Sequence, residues 1–370
     1  MADLRSLRIV IAGGGTGGHL YPGIAVAREW LSRMPGAHIS FAGTAGGIEA
    51  RVVPLEGFAL DSIRSSGLKG KSIAAQLRGA ARLLPSLVDA WRIVSRRRPH
   101  LVIGVGGYSS GPVVLIAALR RVPTMLLEQN ATPGLTNRLL APFVQAAAVT
   151  FESTRSLFGS KAFVSGNPVR PEFLKAAEPK TESPADDGSP LVRVLVFGGS
   201  LGAHAINLAM VEAAPELATR GSRLRLTHQT GPRDVAMVRA AYQQAGLVAD
   251  VESFYDDMGE KICGADVIVC RAGATTLAEL TAAGRAAILV PLPTATDDHQ
   301  RRNAEALAAS GAAEVLLQSA LTGRTVTQRI MALADDRHAR TRMAAAARAL
   351  ARPDAARVIV DRALQLVDGP

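Results

Sequence analysis

Twice along the chain an unbroken apolar run stops at a cluster of glycines and resumes as a helix-like pattern. The two segments are "LRIVIAGGGTGGHLYPGIAVAREWL" and "VRVLVFGGSLGAHAINLAMVEAAPEL", with turns that begin at Gly13 and Gly198. Strands without polar alternation are buried on both faces, which calls for a parallel sheet covered by helices on either side. Further runs repeat the theme: "HISFAGT", "LVIGVGG", "TMLLEQN" and "AAAVTF" after the first turn, then "LRLTHQT", "ADVESF", "ADVIVC" and "AAILVPL" after the second. Such alternation in two sets predicts two doubly wound α/β domains, which 370 residues accommodate. Two domains of this kind facing one another would place a ligand cleft at their strand carboxyl ends.

The domain boundary is expected after "GNPVRPEFL", where "KAAEPKTESPADDGSP" has no apolar period and reads as a linker. Hydrophobic residues at 48% and charged residues at 20% indicate a packed globular chain. Cys263 and Cys270 show no metal or disulfide spacing, and Asp3 with two arginines ahead of a short strand is not a secretory leader. A reduced, cytoplasmic setting is the expectation. Residues 101–119 carry no charge, but "GGYSSGP" interrupts them, so they read as strand, turn and helix rather than a membrane span.

Residues 64–99 hold nine basic side chains against one acid, Asp89, which points to an anionic partner. Trp91 is the only aromatic there, too few for the stacking platforms of single-stranded nucleic acid, so none is expected as a partner.

A glycine turn that opens a helix offers bare amides and the positive end of a dipole, both suited to phosphate. Gly13, Gly15 and Gly18 satisfy the dinucleotide spacing, yet the second strand ends "FAGTAGG", without an acid for a ribose diol. No Lys-Ser/Thr pair follows either turn, which disfavours a P-loop. Simple strand–helix packing explains one glycine turn as well as phosphate does; two at equivalent positions favour phosphate. In the second turn Ser200 could help hold a diphosphate. In "VCRAGATTLAEL" Gly273 precedes a helix whose first amides belong to Ala274, Thr275 and Thr276. Glu279, one turn on, could accept from a ribose diol, the alternative being an ordinary solvated helix acid.

Together, "GGGTGGHLYPGIAVA", "GVGGYSSGP", "LEQNATPGLTNRLLA", "SGNPVR", "FGGSLGA", "CRAGATTLAEL" and "DDHQRRNAEAL" resemble the MurG family of peptidoglycan glycosyltransferases in order and spacing, over residues 7–367. The resemblance implies the glycosyltransferase B fold: two Rossmann-like doubly wound parallel-sheet domains facing a central cleft. Residues 1–170 plus 353–370 would form the acceptor and membrane-associating domain, with the C-terminal helix returning to it. Residues 171–352 would bind the donor, 171–192 being linker-like. The implied reaction is inverting transfer of N-acetylglucosamine from UDP-N-acetylglucosamine to the muramyl 4-hydroxyl of lipid I, giving lipid II.

By the same resemblance Ser200 binds donor phosphate and the backbone of Tyr255 meets uracil. The stretch Ala274, Thr275, Thr276, Leu277, Ala278 and Glu279 surrounds phosphate, sugar and ribose, and Gln300 reads sugar hydroxyls. Asn130 and Arg170 match donor contacts, and so do Thr16, Gly17 and Gly18, whose turn is similar to the one that receives the lipid I diphosphate. Two departures stand out: Leu127 where the family often has histidine, which would shrink the acceptor-side polar network, and His299 where some members carry glutamine.

The acceptor proton needs a base. His19, at the start of a helix whose dipole disfavours imidazolium, and Glu128 are the two candidates; a phosphate ligand is the other role open to His19. No Asp-x-Asp cradle marks a strand end, so no metal or other cofactor is expected. Ile73, Leu77, Ala80, Leu84, Leu87, Trp91 and Val94 recur at helical spacing, most of them as a face packed on the sheet. Lys69, Lys71, Arg78 and Arg82, with Ile73 and Leu77, would rest on anionic lipid at the cytoplasmic face of the inner membrane. UDP-N-acetylglucosamine, lipid I and that membrane are thus the implied partners, with cell-wall synthesis proteins as further candidates. The competing readings are a UDP-N-acetylglucosamine epimerase of the same fold, a nicotinamide oxidoreductase and an inactive UDP-sugar-binding scaffold.

Overall fold

The computed structural model describes residues 6–65, 83–174, 191–199 and 201–368. The chain divides into two compact units, Met1–Arg170 with Arg352–Pro370, and Pro171–Ala351.

The N-terminal unit holds a seven-stranded sheet of β1 (Arg8–Gly13), β2 (His38–Gly43), β3 (Ala59–Ser62), β4 (Leu101–Gly106), β5 (Thr124–Glu128), β6 (Ala146–Val149) and β7 (Ala162–Val164). Their order is β3-β2-β1-β4-β5-β6-β7, with every pairing parallel. All six residues of β4 are buried, as an apolar strand at the centre of a covered sheet requires. Helix α1 (Gly17–Arg33) lies on one face, where Gly23 lets its backbone approach Ile11, Val105 and Phe41. The helix Ala355–Asp368 covers the same face: Ile359, Val360 and Ala363 join Leu7, Ile9 and Trp30 in one core, and Arg33 pairs with Asp361 at 2.6 Å.

The C-terminal unit holds β8 (Val192–Phe197), β9 (Leu224–Gln229), β10 (Ala249–Glu252), β11 (Val267–Cys270), β12 (Ala286–Leu289) and β13 (Glu314–Val315). These form a parallel sheet in the order β10-β9-β8-β11-β12-β13. The strand order therefore reverses between β1 and β4 in one unit and between β8 and β11 in the other. These are the switch points outside which ligands bind in open α/β sheets.

Residues 101–119 fold as β4, a glycine turn and the helix Ser110–Leu119, and among the described residues no helix is long and apolar enough to cross a membrane. Three short edge strands, β3, β7 and β13, escape the sequence pattern: none contains an apolar run of four or more residues. Within 171–192, Pro171–Leu174 is a single helical turn and β8 begins at Val192, while 175–190 lie outside the described residues.

The helix Leu83–Arg97 corrects the expected stripe. Its packed face is Ser86, Ala90, Ile93 and Val94, whereas Leu84, Val88 and Trp91 are 71%, 44% and 56% exposed on the other side. Ile73, Leu77 and Ala80 lie outside the described residues, as do Lys69, Lys71, Arg78 and Arg82. Part of the local positive charge is paired: Arg64 with Asp89, and Arg96 and Arg97 with Asp61.

Candidate active site

At the carboxyl end of β1, Gly13, Gly14 and Gly15 take φ of +146°, +148° and +83°, backbone that a side chain would strain. The chain then enters α1 through Thr16, whose extended backbone starts the helix. The Thr16 carbonyl accepts from the amides of His19 and Leu20, and the Thr16 hydroxyl lies 3.2 Å from His19 Nδ1. His19 is half-buried, its ring laid over Gly106 at the end of β4: a Cβ on Gly106 would stand 2.8 Å from His19 Cδ2. A Cβ on Gly107 would reach 2.5 Å from the Gly14 carbonyl. The glycine pair of "GVGGYSSGP" is thereby explained as the surface on which the first turn and His19 rest.

One amide of this turn is already committed. Gly15 N–H donates to Glu49 Oε2 at 2.8 Å, and Glu49 is fully buried. Burial alone would raise its carboxyl; donation from the Gly15 amide and from Thr44 outweighs this and holds it below the usual carboxylate range. Sequence reasoning missed Glu49. An acid does stand near the β2 tip, but it is turned inward and saturated with donors, so it cannot receive a ribose.

The loop after β5 joins the same end of the sheet, because Gln129 Nε2 donates to the Val105 carbonyl at 3.0 Å. Glu128 is buried and takes four donors: Oε1 from the Asn130 amide at 3.0 Å and its Nδ2 at 3.4 Å, Oε2 from Gly134 N–H at 3.0 Å and Asn137 Nδ2 at 2.9 Å. Burial pushes its carboxyl up despite those donors. With both oxygens tied into its own loop, Glu128 is built to shape 128–137 and to orient Asn130. Arg170 stacks its guanidinium 5.0 Å from the ring centroid of Tyr21, which itself packs beside Gly17. The structure thus gathers Thr16, Gly17, Gly18, His19, Glu128, Asn130 and Arg170 in the N-terminal unit.

In the C-terminal unit the second turn follows β8 and opens the helix His204–Ala218. Ser200 lies outside the described residues. Gly202, at φ +76°, presses against the loop after β9: a Cβ there would fall 1.8 Å from the Thr230 carbonyl. Gln229, another residue the sequence reading overlooked, is buried and bridges two loops. Its Nε2 donates to the Gly199 carbonyl at 3.1 Å, and its Oε1 accepts from Tyr255 N–H at 3.0 Å.

Behind the turn, Asn207 Nδ2 donates to the Thr230 carbonyl and to Asp234, each at 2.8 Å. Its Oδ1 must then accept from His228 Nε2 at 3.1 Å, which leaves His228 Nδ1 to accept from the Tyr242 hydroxyl at 2.8 Å. Burial holds His228 neutral, its pKa lowered to about 3.

On the other side of the switch point, β11 leads through Gly273 into the helix Ala274–Ala283, a ten-residue helix whose first amides belong to Ala274, Thr275 and Thr276. Glu279 is 6% exposed, so it is no solvated helix acid. Gln300, on the helix His299–Ala309, anchors its Oε1 on Leu292 N–H at 3.0 Å, which leaves the carboxamide NH2 as its donor. The structure therefore brings Leu277, Ala278 and Glu279 onto one helix after β11.

Residues 9–149 match the glycosyltransferase family 28 N-terminal domain and residues 193–359 the family 28 C-terminal domain. The chain is 48% identical, over 96% of its length and 97% of the relative's, to a Geotalea uraniireducens protein named UDP-N-acetylglucosamine--N-acetylmuramyl-(pentapeptide) pyrophosphoryl-undecaprenol N-acetylglucosamine transferase. The crystal structure of Acinetobacter baumannii MurG is similar with a TM-score of 0.78 and 32% identity, covering 97% of this chain and 99% of that one. The Neisseria meningitidis UDP-GlcNAc 2-epimerase bound to UDP-GlcNAc, at 14% identity and a TM-score of 0.66, covers 97% of this chain and 99% of that one and shares the fold alone.

Proposed function

Since the chain belongs to glycosyltransferase family 28, we propose that it moves N-acetylglucosamine from UDP-N-acetylglucosamine onto lipid I to form lipid II in peptidoglycan synthesis. The observation that carries this reading is the 48% identity to a transferase of that name over nearly the full length of both chains. The epimerase reading has only the shared fold behind it. The inactive-scaffold reading would leave the ordered His19, Asn130 and Glu279 without a task.

Most of the donor contacts fall to the C-terminal unit. Ser200 and the second turn hold the diphosphate, and the amides that begin Ala274–Ala283 stabilise charge as UDP leaves. Glu279, held within the fold rather than in bulk solvent, accepts from the ribose diol, and Gln300 donates from its NH2 to sugar hydroxyls. The Tyr255 amide is engaged by Gln229, so uracil meets the Tyr255 carbonyl through its imide N–H. The lipid I pyrophosphate falls to the first turn, at Thr16, Gly17 and Gly18, while Asn130 and Arg170 stay assigned to the donor.

In the reaction the muramyl 4-hydroxyl attacks the anomeric carbon, the bond to the UDP oxygen breaks, and configuration inverts. The hydroxyl proton passes to His19. Glu128 is the weaker base because four donors already occupy its oxygens. Radiolabelled transfer from UDP-N-acetylglucosamine to a short-chain lipid I analogue tests the assignment. His19→Ala should lower kcat by about 10²–10⁴ and abolish the acidic limb of the pH–rate profile, and Glu128→Gln should keep that limb. The reverse pattern would make Glu128 the base.

The exposed Leu84, Val88 and Trp91 lie at i, i+4 and i+7 beside Arg92, a face suited to the surface of an anionic membrane on the cytoplasmic side. Flotation with anionic vesicles should weaken when Lys69, Lys71, Arg78 and Arg82 are reversed in charge; unchanged flotation would remove the segment from the membrane contact.

A further inference from the structure

The Glu49 carboxylate, at the first residue of α2 (Glu49–Leu55), is enclosed by bare backbone from two loops. Its Oε2 accepts from Gly15 N–H at 2.8 Å; its Oε1 accepts from the Thr44 amide at 2.8 Å and the Thr44 hydroxyl at 2.7 Å. A Cβ on Gly14 would stand 2.5 Å from its Cδ, one on Gly43 2.6 Å from its Cγ, and one on Gly47 2.2 Å from its Oε2. A group so walled in reaches no substrate. Whatever it does for the reaction, it does through the first turn.

Three consecutive glycines with positive φ are a costly way to present a fixed surface, because glycine has the most conformational freedom to lose. Something outside the turn must hold it. Glu49 is the side chain placed to do so, since it grips Gly15 on one side and Thr44 on the other. Its chemistry fits: each of the three groups aimed at it is a donor, and only an ionised carboxylate accepts from all of them without presenting a hydrogen of its own. Glutamine would turn an NH2 against at least one donor.

We propose that Glu49 is the positioning residue of the acceptor turn, clamping Gly15 to the β2–α2 loop so that Thr16, Gly17 and Gly18 meet the lipid-linked pyrophosphate, and His19 the acceptor hydroxyl, in one fixed arrangement. This rests on the reading above, in which the first turn takes the acceptor and the second the donor.

The test is steady-state transfer by the full chain, with UDP-N-acetylglucosamine and a short-chain lipid I analogue each varied in turn. Glu49→Gln is expected to raise KM for the lipid I analogue roughly ten- to hundredfold, the scale of leaving buried donors unsatisfied. KM for UDP-N-acetylglucosamine should stay within about twofold, because the hydrogen bonds of Glu49 to Gly15 and Thr44 lie within the N-terminal unit. If the two KM values rise together, or the acceptor KM holds while only the melting temperature falls, the residue is structural and the proposal is wrong.

Should Glu49→Gln fail to fold, Gly47→Ala decides. It presses a methyl on Oε2 from the far loop and leaves the turn's own residues untouched. A folded Gly47→Ala with an unchanged acceptor KM overturns the proposal; the same acceptor-selective rise supports it. A wild-type chain that transfers no sugar to the analogue rejects the functional reading itself, which separates that failure from this one.

Discussion

The first and second glycine turns end equivalent strands, yet each is braced by a side chain of different hydrogen-bonding sense. The first shows an amide to its brace, Gly15 N–H, and the neighbouring loop shows another at Thr44. Both are donors, and the brace is the carboxylate of Glu49. The second shows a carbonyl at Gly199 while its neighbouring loop shows the Tyr255 amide, and the brace is the carboxamide of Gln229, which donates to one and accepts from the other. The backbone thus dictates the side chain: two donors demand a charged acceptor, a donor and an acceptor demand an amide. It follows that the first turn depends on ionisation and the second does not.

The largest effect should come from steric asymmetry. Gly202→Ala would set a methyl 1.8 Å from the Thr230 carbonyl at φ +76°, whereas a Cβ on Gly15 meets nothing within 4 Å at φ +83°. We expect about 2–6 kcal/mol of destabilisation and lost UDP binding for Gly202→Ala, against about 1–3 kcal/mol for Gly15→Ala, from strain alone. Thermal unfolding with UDP titration checks both. Equal losses would mean that the second turn is not jammed against the loop after β9.

Exchange of the brace comes next. Gln229→Glu aims a carboxylate oxygen at the Gly199 carbonyl and should weaken UDP binding about ten- to hundredfold, with the acceptor KM unmoved. It is the mirror of Glu49→Gln. A loss shared by donor and acceptor would erase the distinction between the turns.

The smallest effect is on pH. Glu49's carboxyl is depressed in the folded chain, so its stabilisation is full above the ordinary carboxylate value of 4.5 and fades as pH falls through the folded value. Both tryptophans, Trp30 and Trp91, belong to the N-terminal unit, so tryptophan fluorescence reports its unfolding in urea. Wild type should exceed Glu49→Gln by about 1–3 kcal/mol at neutral pH, with the gap closing in acid. A gap independent of pH would show that the charge is irrelevant.

Much of this architecture is legible in the residues. Continuous apolar strands and glycine turns announce two parallel sheets, and "GGYSSGP" announces the turn between β4 and the helix Ser110–Leu119. The braces are not legible, because Glu49 lies 34 residues from Gly15 and Gln229 lies 30 from Gly199. Their meaning exists only once strand order brings β2 beside β1 and β9 beside β8. Periodicity also misassigned Leu84 and Trp91, since a helix with apolar residues on two faces does not say which one the sheet takes. The alternative of a solvated acid at Glu279 stayed open in the sequence for a related reason: burial of a short helix between strands is a tertiary fact.

The most direct test is a crystal structure of the protein soaked with UDP. The nucleotide is expected in the C-terminal unit, its ribose on Glu279 and its diphosphate against the turn at 198–203 and the start of Ala274–Ala283. A nucleotide bound instead at Gly13–Gly18 would contradict the assignment of donor and acceptor to their two turns.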